Sequence, residues 1–214
     1  MTAGRWGQRM LLLLAVAALV SACAVREQRP AGTWMEERAA WFDEHPVWSV
    51  SGRAAIRDGQ RGGQISFEWQ AEGERHRVHL RTVTGGRQWL LQFEPGHAEL
   101  EGTDVRYLVG PDPNALVESA VGWRIPVVEL SDWIRGLVSE ELGEVRFAHD
   151  GTLERVRFEP WDLSYQHFVE IEGRLMPARL EAESPPYRVR LVLRDWKLKS
   201  REDIEPGFSA SVWH

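Results

Sequence analysis

Cys23 is the only cysteine in the sequence, and its surroundings point to a covalent modification. Upstream of it, Arg5 and Arg9 form a short basic region, and residues 10–20 form an apolar run that ends in the small pair 21–22. This layout is typical of a secretory signal, because eleven apolar residues are too few to span a bilayer comfortably.

The residues Val20–Cys23 match the bacterial lipobox, in which the cysteine is acylated and becomes the first residue after cleavage. Buried acyl chains contribute about 0.8 kcal/mol per methylene, and more than one chain makes the attachment durable. We therefore expect residues 1–22 to be a lipoprotein signal peptide and Cys23 to be the lipid anchor. A plain signal peptide with an incidental cysteine is the alternative. In many lipoproteins of Gram-negative bacteria an aspartate after the cysteine favours retention in the inner membrane, so by analogy with them Ala24 favours the outer membrane.

Beyond this cysteine, no residue pattern is typical of a catalytic site. His76 and His79 are three residues apart, which on a strand places them on opposite faces, whereas a metal site would favour a spacing of two. The sequence has neither a Gly-x-Ser-x-Gly elbow nor a glycine-rich phosphate loop. We predict a protein that is not an enzyme and that uses no metal or cofactor.

The composition of the chain limits the classes of molecule that it can bind. Removal of residues 1–22 leaves 192 residues and takes away two arginines, so the formal charge changes from −6 to −8. This acidic balance argues against nucleic acid as a partner, since phosphate binding requires clustered lysines and arginines. One domain of this length can bury a sizeable core without disulfides, and we expect a monomer. Ten tryptophans remain, and so many large rings must line a core, a cavity or an interface.

The elements that carry these residues follow from periodicity. Residues 23–32 have little apolar content and predict a flexible acylated tether. Thr33 and Glu36 form a capping box that begins a helix, which ends at Pro46. One side of this helix is formed by Trp34, Arg38, Trp41, Phe42 and His45.

From Trp48 onward the period is two residues, with turn signals at 58–59 and 62–63, so we predict an antiparallel meander. Two further helices are predicted, one between Asp112 and Gly122 and one around Leu130–Leu137. The predicted strands lie around residues 48–54, 65–69, 76–80, 89–93, 98–101, 105–109, 145–147, 153–158, 161–169, 174–182 and 187–196. We assign residues 33–199 to one domain and residues 200–214 to a polar tail.

A meander of this length must curl, and the helices are available to cover its apolar face. Periodicity does not distinguish a packed interior from a hollow one. For any single tryptophan, packing in a core is the more common role.

Several stretches, taken in chain order, resemble the LolB family of outer membrane lipoproteins. The most specific is the pattern Gly-x-x-Ile-Pro-x-x-x-Leu-x-x-Trp-x-x-Gly-Leu in GWRIPVVELSDWIRGL (122–137). The others are the lipobox at Cys23, WSVSGRAAI (48–56), FEWQ (67–70), DGTLERVRFEPWDLSY (150–165), LMPARLEAE (175–183) and RVRLVLRDW (188–196).

The resemblance implies a curled, unclosed antiparallel β-barrel of about ten to eleven strands, with a lid of about three α-helices over an apolar cavity. It implies a protein anchored to the periplasmic face of the outer membrane through Cys23. Such a protein accepts lipoproteins from the periplasmic carrier LolA, holds their acyl chains and inserts them into the inner leaflet of the outer membrane without nucleotide. A triacylated cargo has on the order of 45 methylenes, so exposing its chains to water would cost tens of kcal/mol.

Inward-facing aromatic and aliphatic residues are the expected lining of the cavity, although a register shift of one residue would exchange the two faces. The predicted lining residues are Phe67, Trp69, Val78, Leu80, Trp89, Leu91, Trp133, Ile134, Leu191 and Leu193.

The family carries an exposed apolar residue, usually leucine, in the loop between its third and fourth strands, where it is implicated in delivery to the membrane. Here the corresponding loop, residues 81–87, is shorter and has no leucine, and Val83 is its only apolar side chain. Val83 is therefore the candidate for membrane insertion.

Alternative functions also fit the sequence. A lipid- or glycolipid-binding lipoprotein of the same fold would hold a different cargo, and a structural outer membrane scaffold would have a packed interior. An enzyme acting on lipids is a further alternative. The arginines of the first strands form either a docking patch for an acidic carrier or ordinary solvated strand faces; they are Arg53, Arg57, Arg61, Arg75, Arg77, Arg81 and Arg87.

Overall fold

The computed structural model describes residues 33–59, 61–122, 125–138 and 143–200. The predictions for the signal peptide, for Cys23 and the tether, and for the tail beyond residue 200 lie outside the described residues. Within the described ranges, the chain forms three helices and eleven strands.

The helices are α1 (Thr33–Glu44), α2 (Pro113–Val121) and α3 (Val127–Trp133). The strands are β1 (Val47–Asp58), β2 (Arg61–Glu72), β3 (Arg75–Thr82), β4 (Gln88–Glu94), β5 (His97–Gly102), β6 (Val105–Gly110), β7 (Glu144–Phe147), β8 (Leu153–Phe158), β9 (Trp161–Ile171), β10 (Arg174–Ser184) and β11 (Tyr187–Lys199). Among the described helices, none is both long enough and apolar enough to span a bilayer.

The strands form one antiparallel sheet in the order β6-β5-β4-β3-β2-β1-β11-β10-β9-β8-β7. Strands that follow one another in sequence pair with each other, apart from β6 and β7, and β1 also pairs with β11, which joins the first strand to the last. Strands β6 and β7 are the two edges, so the sheet is unclosed, as predicted. The segment with α2 and α3 links these edges.

The sheet has one apolar face, which we call the inner face. Side chains alternate between buried and more exposed positions along β2, β3 and β4. The buried side chains of the strands and of all three helices form a single hydrophobic cluster. The helices therefore cover the inner face, because their apolar sides have no other surface to pack against.

The predicted helix ends are largely confirmed. The Asp112 carboxylate accepts a hydrogen bond from the backbone N–H of Asn114 at 2.9 Å, and Gly122 ends α2 with a φ of 81°. Helix α3 is shorter than its apolar spacing predicts. It ends at Trp133, and the chain then turns through Gly136, whose φ is 70°.

One predicted turn is wrong. Gly62 and Gly63 lie inside β2, where Gly62 is paired with Arg57. A Cβ atom on Gly62 would lie 2.5 Å from the backbone oxygen of Ile56. The glycine is therefore needed for close approach of two strands, and the turn itself falls between the end of β1 at Asp58 and the start of β2 at Arg61.

Candidate functional site

Eight of the ten predicted lining residues lie on the inner face of the sheet, Trp133 and Ile134 lie at the end of α3 that covers it, and none of the ten exposes more than 6% of its surface. Cross-strand pairing of the residues on β2, β3 and β4 makes the apolar inner face continuous. Phe67 is opposite Leu80, and Leu80 is in turn opposite Trp89. The neighbouring row runs from Trp69 through Val78 to Leu91. The predicted assignment of the strand faces is thus correct, and contact with acyl chains stays a prediction.

Helix α3 closes part of this face with aromatic contacts. The Trp133 ring lies edge-on to Phe158 and Trp161, with centroid distances of 5.7 and 5.3 Å. The Tyr165 hydroxyl donates a hydrogen bond to the backbone oxygen of Trp133 at 3.0 Å. Burial raises the pKa of Tyr165, so this phenol stays neutral and holds the helix end against β9.

A recess of about 580 Å³ opens where α1 and α3 meet the strand ends. Aromatic rings and charged groups both line this recess, which we call the helix-end recess. Its aromatic lining is Phe42, Trp48, His76 and Phe93, and its charged lining includes Asp43, Glu74, Glu94, Asp132 and Arg135.

His76 behaves as an aromatic residue in this recess. Its Nδ1 accepts a hydrogen bond from Trp69 Nε1 at 3.1 Å, and its ring stacks on Phe93 with a centroid distance of 4.6 Å. Burial, with a smaller contribution from the Arg135 charge, lowers the pKa of His76 to about 4. His76 is therefore neutral at pH 7. The prediction that His76 and His79 occupy opposite faces is confirmed.

Arg135 and Asp132 place a charged pair beside these rings. Arg135 donates to the Asp132 carboxylate at 2.5 Å and lies over the rings of Phe42 and Trp48 at 5.1 and 5.5 Å. Burial lowers the pKa of Arg135 and raises that of Asp132, because each charge loses solvation. The spacing of three residues on a helical segment is the sequence signal for this pair.

Arg38 is a second arginine that sequence reasoning did not select for the site. It is buried on α1, and its guanidinium donates to the backbone oxygens of Arg135 and Leu175, the latter at 2.9 Å. It also lies 4.8 Å from the Trp34 ring centroid. Arg38 thus ties α1 both to the segment after α3 and to β10.

The loop with Val83 is shorter than predicted, because β3 continues to Thr82 and the connection is residues 83–87. Val83 exposes 50% of its surface, while its backbone N–H donates to Gln64 at 3.0 Å. At the other end, Arg87 lies over the Trp89 ring at 4.9 Å. The loop is therefore fixed at both ends and presents an apolar side chain to solvent.

The pKa of His76 leads to a stability prediction. Because unfolding lets this histidine take up a proton below its ordinary pKa of 6.5, the stability from its burial is complete above pH 6.5 and is lost as the pH falls toward 4. At 1.36 kcal/mol per pKa unit, we expect a loss of about 3 kcal/mol.

Urea unfolding of the parent protein and His76→Phe at pH 7 and near pH 4.5 checks this effect. The variant cannot titrate at position 76, so the difference between the two free energies of unfolding should change with pH by about 2 to 3 kcal/mol. A difference that is the same at both pH values would contradict the prediction.

Among the residues that the structure describes, no group of three or more His, Cys, Asp or Glu side chains could hold a metal ion.

A family model and two similar proteins found for this chain carry the same family name. The family model described as outer membrane lipoprotein LolB matches residues 46–196. A protein from Xylella fastidiosa (strain Temecula1) named outer-membrane lipoprotein LolB is 32% identical over 200 residues, which cover 87% of this chain and 92% of the relative. The protein of the same name from Xanthomonas campestris pv. campestris (strain B100) is 32% identical over 167 residues, covering 75% of this chain and 77% of the relative.

Two solved structures share the fold. A DUF1329 family protein from Desulfovibrio piger aligns with a TM-score of 0.51 at 9% identity, covering 79% of this chain and 92% of that chain. A LolA superfamily protein from Nitrosomonas europaea aligns with a TM-score of 0.50 at 10% identity, covering 78% and 94% respectively.

Proposed function

Since the chain belongs to the LolB family of outer membrane lipoproteins, we propose that it accepts lipoproteins from the periplasmic carrier LolA and inserts them into the outer membrane. The protein itself is an outer membrane lipoprotein that acts in lipoprotein localisation. In this proposal, Cys23 is the lipid anchor and the inner face of the sheet holds the acyl chains of the cargo.

The observation that carries the proposal is the continuous apolar inner face beneath the three helices. The side chains of Trp69, Val78 and Leu91 form one row across three neighbouring strands, and the helices cover them. Such a surface can shield acyl chains from water at about 0.8 kcal/mol per methylene. Transfer then requires only that each acceptor in the series binds the chains more favourably than the one before it.

Uptake of acyl chains is expected to involve movement of the helices. The helix-end recess, at about 580 Å³, is in the range of pockets that hold a drug-sized ligand. A cargo with on the order of 45 methylenes is larger than such a ligand. We therefore infer that α1 moves away from the inner face when cargo enters, which requires the Arg38 contacts to break.

A transfer assay tests the proposed function. Residues 24–214, which include every described element, are mixed with the carrier loaded with a labelled lipoprotein, and pull-down then locates the label. We expect the label to move to this protein. Retention on a carrier that releases its cargo to another LolB protein would refute the receptor role and favour a different lipid as cargo.

Photo-crosslinking tests where the acyl chains lie. Benzoylphenylalanine in place of Trp89, which is on the inner face, is expected to crosslink to the cargo lipid after transfer. The same group in place of Leu90 is the matched control, since adjacent residues on a strand point to opposite faces. Equal crosslinking from both positions, or crosslinking from Leu90 alone, would refute the assignment of the inner face.

A further inference from the structure

A second concave feature lies on the other side of the sheet, which we call the outer face. It is a groove of about 650 Å³ beside the turn between β1 and β2, and arginine side chains line it. We call it the arginine groove. Its arginines are Arg57, Arg61, Arg188 and Arg190, and the rest of its lining is Ala55, Ile56, Gly59, Gly62, Gly63 and Gln64.

Strand register explains why these arginines converge. Arg57 on β1 is opposite Arg188 on β11, so two cations from distant parts of the sequence are direct cross-strand neighbours. Like charges in that position repel each other. The glycines at 62 and 63 carry no side chains, which leaves open space between the guanidinium groups.

The arginines of the groove differ in their partners. Arg188 and Arg190 both pair with Glu181, at 3.0 and 2.7 Å, and Arg188 also pairs with Glu183. Within the described ranges, no ion pair joins Arg57 or Arg61 to a carboxylate. Asp58 is the cross-strand neighbour of Arg61, although no ion pair joins them. Four guanidinium groups thus lie near three carboxylates, and the groove has an excess of positive charge although the chain is acidic.

The groove lies at the same end of the sheet as the exposed Val83. Gln64 lines the groove, and its backbone oxygen accepts the hydrogen bond from Val83. Two other early arginines are placed differently: Arg75 and Arg77 lie at the opposite end of β3, where they contact Glu72 and Gln92. The structure therefore divides the arginine-rich first strands into two groups, of which one adjoins Val83.

We propose that the arginine groove binds the phosphate of anionic phospholipid headgroups and holds this end of the sheet against the bilayer. The orientation of Val83 toward the membrane rests on the proposed function. Guanidinium groups bind phosphate oxygens with paired hydrogen bonds, and arginines near an anionic surface are attracted to it. The groove is small and concave, which suits a headgroup.

A docked protein is the less favoured occupant. The centres of protein–protein interfaces are depleted of charged residues, and a stable interface covers about 800 Å² on each partner. Here the side chains that reach the groove are mostly charged, and its apolar residues are Ala55 and the buried Ile56.

Vesicle co-sedimentation tests the proposal without carrier or cargo, so its result is independent of the transfer assay. Residues 24–214 are used, because an acylated Cys23 would bind any vesicle. The vesicles contain phosphatidylcholine alone or phosphatidylcholine mixed with phosphatidylglycerol. We expect the parent protein to prefer the anionic vesicles, and added salt to weaken this preference.

The variant Arg57→Gln/Arg61→Gln should weaken binding to the anionic vesicles by about fivefold for each arginine, or about 25-fold in total. The matched control is Arg194→Gln/Lys197→Gln, which removes the same charge from exposed positions on the outer face of β11. These residues lie roughly 13 to 23 Å along the strand from Arg190, the nearest groove arginine on β11, which is beyond the screening length of about 10 Å.

Loss in the groove variant together with retention in the control supports the proposal. Equal binding of the parent protein to both vesicle types, or equal loss in both variants, would overturn it. If the groove variant keeps its vesicle binding and loses retention of the carrier in a pull-down, the groove is a protein-docking site and the lipid assignment is wrong. All four side chains are exposed, and thermal melts of both variants verify that they fold.

Discussion

Replacement of Val83 by glutamate is expected to leave lipoprotein reception intact and to slow insertion into a bilayer by about tenfold to a hundredfold. Burial of a valine side chain contributes about 1.5 to 3 kcal/mol, and a carboxylate in its place must stay in water. Half of the Val83 surface is exposed in a loop whose ends are fixed, so the side chain can enter a membrane without unfolding the sheet.

Two assays separate the steps. Pull-down from a loaded carrier measures reception, and appearance of the label in floated vesicles measures insertion. Val109→Glu is the matched control, because Val109 is a valine on β6 that exposes 52% of its surface. Val83→Leu should insert at least as fast as the parent protein. If Val83→Glu and the parent insert cargo at the same rate, Val83 has no part in delivery.

Replacement of Arg38 by alanine is expected to destabilise the fold by about 3 to 5 kcal/mol. The guanidinium is buried, and its loss would leave the backbone oxygens of Arg135 and Leu175 without these hydrogen bonds. Removal of the side chain also leaves a cavity against Trp34. Helix α1 should therefore separate from the inner face more readily, and binding of an apolar dye should increase at temperatures where the variant is folded.

Urea unfolding measures the loss of stability, and Arg174→Ala provides the comparison. Arg174 contacts α1 through a partly exposed ion pair with Glu37 at 3.5 Å, which should contribute less than about 1 kcal/mol, and lies 6.0 Å from the Trp41 ring centroid. Arg38→Met keeps much of the packing but loses the hydrogen bonds, so its loss of stability should fall between those of Arg38→Ala and Arg174→Ala. If Arg38→Ala were as stable as Arg174→Ala, Arg38 would not hold α1 in place.

The ion pair at the helix-end recess differs from the surface ion pairs in the burial of its arginine. Arg155 and Asp162 lie on adjacent strands in contact with solvent, whereas Arg135 is largely buried beside aromatic rings and only its partner Asp132 is exposed. Removal of Asp132 would leave the poorly solvated Arg135 charge without its carboxylate partner, which is costly. The recess therefore keeps a polar rim next to an apolar surface.

The sequence by itself determined the strands, the antiparallel pairing of most neighbours and the faces of the eight lining residues that lie on strands. Alternation with a period of two leaves only two choices of face for each strand, and burial of one face selects between them. Short connections then pair most neighbouring strands. The helix ends at Asp112 and Gly122 follow from local hydrogen bonding and backbone geometry, which a few adjacent residues specify.

Only the tertiary structure decided which distant residues meet. The pairing of β1 with β11 brings Arg57 beside Arg188, and Arg38 reaches backbone oxygens about a hundred or more positions away. The tertiary structure also places Gly62 and Gly63 in β2, where Gly62 permits the close approach of β1. Local patterns contain no information about such contacts, since these contacts arise only when the whole sheet is assembled.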